Sequence, residues 1–174
     1  MNLRLAIAVA ALGWPLAASH ALAHATIELK EAPVGSTQKI VFRVPHGCDG
    51  QPTLKVRVQI PAGVVGVKPM PKPGWELETV IGKLDTPYKD HGKDITEGVR
   101  EVVWTGKLLD AHYDEFVLRG GLSADGLTPR TVLYFPIVQE CEKGAERWIE
   151  IPAAGKSSDD LEMPAPGIKL LPKK

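Results

Sequence analysis

Apolar and polar residues alternate one by one along much of this chain, in short runs cut by proline and glycine. That period of two is the signature of half-buried β-strands. The clearest run sets Leu54, Val56, Val58 and Ile60 against Lys55, Arg57 and Gln59. Runs of the same kind cover residues 27–30, 39–44, 75–81, 99–104, 113–119, 131–138 and 147–151. Between them stand turn formers: Pro45-His46-Gly47, Pro61-Ala62-Gly63, Lys72-Pro73-Gly74, Arg119-Gly120-Gly121 and Lys143-Gly144. The spacing predicts an all-β chain, an immunoglobulin-like or fibronectin-like antiparallel β-sandwich. A closed barrel is the alternative, which periodicity alone does not separate from it.

The stretch 84–98 is polar and rich in turn formers, and reads as an exposed loop or a hairpin with irregular tips. From residue 152 onward a largely irregular tail is expected, with 167–171 adding an edge strand. No block repeats within the 174 residues, so residues 24–174 are expected to form a single domain.

The first 23 residues read differently. Arg4 precedes an uncharged apolar run over 5–18, shorter than the roughly 20 residues a membrane-spanning helix needs. The run leads to Ala21-Leu22-Ala23, a small-x-small triplet of the kind signal peptidase cuts after. Cleavage there leaves His24 first. Ala23-His24-Ala25 also satisfies the rule and would discard the histidine. The expectation is export to the periplasm, cleavage before His24, and no stable membrane span after processing.

With 21 basic and 21 acidic residues, no excess field draws the chain to nucleic acid or to an anionic membrane. Its two cysteines, Cys48 and Cys141, suit an oxidising compartment, where one disulfide is the economical expectation. A metal-thiolate pair is the weaker alternative, since neither cysteine lies in Cys-x-x-Cys or Cys-x-x-His spacing.

A histidine at a free N-terminus offers two nitrogens from one residue. The α-amine and ring Nδ1 together close a six-membered chelate around a metal ion, displacing their protons as it binds. Cu(II) gains most from nitrogen ligands among the common divalent ions. A carboxylate would supply a third ligand, and alternation along 113–119 sets Glu115 with Val117, opposite Asp114, Phe116 and Leu118. A strand holds such a group more firmly than a loop does, although a charged strand residue is more often simply solvated. His46, His91 and His112 are further ligand candidates, and Met70 and Met163 candidate thioether ligands for Cu(I). None of these clusters with another, so solvated or space-filling roles compete.

Longer matches bring a family into view. The post-signal His24-Ala25, Val44-Pro45-His46-Gly47-Cys48, the stretch from Val67 through Pro69-Met70-Pro71 to Trp75, Val103-Trp104-Thr105-Gly106, Tyr113-Asp114-Glu115-Phe116, Tyr134-Phe135-Pro136 and Arg147-Trp148-Ile149-Glu150 occur in order. In these the chain resembles the YcnI-like copper-binding proteins, over essentially all of residues 24–174. The resemblance implies a single-histidine brace: Cu(II) held by the amine and ring of the first residue and by a strand glutamate, with a tryptophan close to the metal. Carried onto this sequence, the ligands are His24 and Glu115 and the tryptophan is Trp148, with Trp104 and Trp75 as substitutes. An indole has only a donor nitrogen, so its part would be shielding rather than ligation. Taken singly, each of these tryptophans reads more readily as a core residue than as a site residue.

The leading expectation is a non-enzymatic Cu(II)-binding protein that sequesters the ion or passes it to another periplasmic copper carrier. A copper-dependent redox enzyme using the same site is the alternative, which would call for a second histidine on the metal. A third reading is a purely structural β-sandwich.

Overall fold

The computed structural model describes residues 24–90 and 92–173, so the expected signal segment and His91 lie outside the described residues. The period-two runs become strands in three sheets, with no α-helix among the described residues. One sheet has the order β1 (Thr26–Ile27), β3 (Thr37–Val44), β8 (Asp114–Leu122), β5 (Val64–Pro69). The second runs β11 (Ala145–Trp148), β10 (Ile137–Cys141), β4 (Thr53–Gln59), β7 (Lys93–Leu108), β6 (Glu76–Asp90). A third, β2 (Glu31–Pro33), β12 (Gly167–Leu171), β9 (Val132–Tyr134), completes the fold. Pairing is antiparallel except between β12 and β2. The sheets keep free edges and do not close, which decides for the sandwich over the barrel.

Inward residues of the two larger sheets meet in one apolar core that includes Ile40, Phe42, Val56, Val58, Val102, Trp104, Phe116, Leu118 and Ile137. Trp104 on β7 packs on Phe116 of β8 with ring centroids 5.5 Å apart, stitching one layer to the other. Phe42 meets the edge of Phe135 at 5.5 Å. Such tilted and edge-on contacts suit aromatic quadrupoles.

Several elements depart from the expected ones. The run 27–30 is no single strand: β1 pairs with β3 in the first sheet, whereas β2 pairs with β12 in the third, and the chain crosses between them. The run 131–138 splits into β9 and β10 at Phe135-Pro136, where proline has no N–H to continue a ladder. The run 147–151 ends at Trp148, leaving Ile149 and Ile151 exposed. β5 was not expected. The stretch 84–98 takes its hairpin form, as the outer part of the long β6–β7 arm. Residues 167–171 form the middle strand of the third sheet rather than an edge, because Ile168 and Leu170 are buried in the core.

β4 follows the expected alternation except at its start. A register shift between Thr53 and Lys55 leaves Leu54 only partly buried and turns Thr53 fully inward. A bulge of this kind re-aims a side chain. Across from it, Cys48 and Cys141 form the expected disulfide, with Cα atoms 6.1 Å apart.

Candidate metal centre

His24 precedes β1 directly. Burial of Ala25 and Ile27, with the pairings Thr26 to Arg43 and Ile27 to Phe42, fixes where the chain enters the first sheet. The histidine itself is half-buried and borders a cleft of 360 Å³ whose lining includes Lys30, Tyr134, Ser158, Asp159 and Pro166. Its ring lies against Trp148, with centroids 5.5 Å apart and planes inclined at 54°. Trp148 closes β11 opposite Ile137 and is 1% exposed. The second sheet thus supplies an apolar wall to a residue carried by the first.

That indole is anchored from behind. Trp148 Nε1 donates to Gln139 Oε1 at 3.3 Å, and Gln139 Nε2 donates to the His46 carbonyl at 2.6 Å and to Thr53 Oγ1 at 2.7 Å. The amide's orientation follows from its partners, since an indole only donates and a carbonyl only accepts. Gln139 is fully buried, and no buried side-chain polar atom among the described residues lacks a partner.

Glu115 lies on the outer face of β8, as alternation required, with Phe116 and Leu118 buried on the inner one. In register, Arg43 of β3 stands between Thr26 of β1 and Glu115 of β8. Two inter-strand steps therefore separate Thr26 from Glu115, about 10 Å between backbones. Arg43 Nε donates to Glu115 Oε1 at 3.1 Å, and its terminal Nη2 to Glu28 Oε2 at 2.6 Å. The Glu115 hydrogen bond, helped by the Glu28 charge, raises the arginine above its ordinary value. Lys72 holds the start of β8, donating to Asp114 Oδ1 at 2.6 Å and to the Glu115 carbonyl at 3.2 Å.

Of the three carried-over residues, the structure joins His24 to Trp148 and gives Glu115 to Arg43. No cluster of three or more His, Cys, Asp or Glu side chains suited to a metal occurs among the described residues. A brace would draw its extra nitrogen from the α-amine that cleavage before His24 would create. The substitute tryptophans sit elsewhere: Trp75 and Trp104 pack on Phe116, at 4.9 and 5.5 Å. His46 turns Nδ1 to the Gly47 carbonyl, and His112 is exposed in the turn before β8. Met163 packs against the core, whereas Met70 is exposed.

Sequence reasoning missed Gln139, Thr53 and Arg43. Gln139 left one trace, being a polar residue two positions from Ile137 on the face that β10 turns inward.

A sequence family described as a domain of unknown function, DUF1775, matches residues 24–170. The chain belongs to the DUF1775 family. This is the family also known as YcnI-like, so the resemblance read from the motifs holds at the level of the family. The match of the DUF1775 domain begins on His24 itself. Among solved structures, the chain is similar to a crystal structure of an uncharacterized protein from Nocardia farcinica with an immunoglobulin-like fold. They share 24% identity with a TM-score of 0.59, covering 85% of this chain and 98% of the other. At that identity the likeness shows the fold, and it agrees with the sandwich seen here. No curated protein matches the chain.

Proposed function

We propose that this DUF1775 chain is an exported, periplasmic Cu(II)-binding protein that sequesters the ion or hands it to another copper carrier. Copper is its cargo. Cleavage before His24 frees the α-amine, which joins ring Nδ1 in a chelate, and Glu115 supplies a carboxylate once its side chain turns from Arg43. Trp148 limits water at one side of the ion, and the cleft beside His24 leaves another side open to an incoming carrier.

The observation that carries this reading is the packing of the His24 ring on Trp148, at the residue where the family match opens. A linker residue left by signal cleavage has no reason to be half-buried against an indole drawn from the other sheet. The donor set fits the ion as well, because two nitrogens and a carboxylate suit Cu(II).

The test is a Cu(II) titration of the chain beginning at His24, followed by electron paramagnetic resonance. One ion per chain, with coupling to two nitrogens, is expected. His24→Ala removes the ring, and affinity should fall by more than the roughly ten- to hundredfold that losing even an outer partner of a ligand costs. Unchanged affinity in that variant overturns the assignment.

A further inference from the structure

The strongest feature outside the candidate ligands is the buried amide of Gln139. Leucine in that slot would fill similar space without any polar group to satisfy, and β10 already places Ile137 on the same face. A buried amide costs free energy unless its hydrogen-bonding groups find partners. Here they do: Oε1 takes the Trp148 indole N–H, and Nε2 gives its hydrogens to the His46 carbonyl and Thr53 Oγ1.

The three partners come from three segments: the end of β11, the loop before Cys48, and the bulged start of β4. The disulfide ties one of these segments, the loop, to β10 a second time, since Cys48 follows His46 by two positions and Cys141 follows Gln139 by two. Amide and disulfide together fasten the loop to β10 at neighbouring points. Within this group it is Trp148 whose ring lies against His24.

We infer that Gln139 is a positioning residue, holding the Trp148 indole at a fixed inclination beside His24 from a base formed by Thr53 and the disulfide-bound loop. The inference extends the copper reading, in which an indole of fixed orientation sets how much water reaches the ion and so tunes its reduction potential.

Two measurements test it. In the metal-free chain, the indole N–H of Trp148, assigned by its loss in Trp148→Phe, should exchange with solvent about tenfold faster in Gln139→Leu, as losing one hydrogen bond implies. Thr53→Val, which keeps the indole bond and removes one anchor, should give a smaller acceleration and serves if Gln139→Leu does not fold. Unchanged exchange in the folded variants overturns the inference. In the copper-loaded chain, Gln139→Leu and Trp148→Phe should each shift the Cu(II)/Cu(I) potential, and the double variant should match Trp148→Phe alone. Additive shifts would mean that Gln139 acts by another route, and would overturn it too. A wild-type chain that takes up no Cu(II) would sink the copper reading, while the exchange experiment would still decide the role of Gln139.

Discussion

At the scale of single residues, the balance around Arg43 decides how Glu115 behaves. The Arg43–Glu115 and Arg43–Glu28 pairs are substantially exposed, with side-chain exposures of 43%, 37% and 53% for Arg43, Glu115 and Glu28. Pairs this wet add little to stability, because solvent screens them. Glu115→Gln should therefore leave urea denaturation nearly unchanged while weakening Cu(II) binding. Arg43→Gln should act in the opposite sense on copper, since it removes the cation that holds Glu115 Oε1. Isothermal titration of both variants checks this, and equal affinities across wild type and the pair would remove Glu115 from the ligand set. The interior contrasts with this surface. Thr53→Val keeps the shape and deletes one acceptor of the fully buried Gln139 amide, so it should cost about 1–3 kcal/mol in chemical denaturation.

Among the elements, the disulfide closes a sequence separation of 93 residues, which the chain-entropy model values at about 4–5 kcal/mol. Replacing Cys48 and Cys141 by alanine should lower stability on that order, read as a lower denaturation midpoint. It should also loosen the loop that supplies the His46 carbonyl to Gln139. Much of this layer was legible in advance, because period-two alternation marks strands wherever one face is buried, as in β4 and β8. It failed where the chain changes sheets, at 28–30 and at Phe135-Pro136, since a crossover leaves each flanking run apolar while breaking the ladder. It passed over β5, whose run Val64-Val65-Gly66-Val67 does not alternate. The strand position of Glu115 followed from alternation, and the nearness of His24 to Trp148 from what the family resemblance implies. Arg43 and Gln139 did not, because each depends on a register between strands distant in sequence.

For the whole molecule, the continuous apolar core and the disulfide imply a fold that stands without metal. Chelation should leave the sandwich intact, seen as an unchanged far-ultraviolet circular dichroism spectrum. Saturating Cu(II) should raise the melting temperature by linkage alone, equivalent to about 2.7 kcal/mol at a hundred times the dissociation constant. In the proposed reading the metal chemistry would be set by where an exported chain begins, because His24 offers a free α-amine beside its ring only when nothing precedes it. The most direct measurement is therefore Cu(II) affinity, with the first residue verified by intact mass, for a chain beginning at His24 and for the same chain with one alanine added before it. Tight one-to-one binding by the first, and loss of at least about tenfold in the second, is the expected result. Equal affinity in the two forms, or an exported protein whose mass shows it to begin at Thr26, would contradict it.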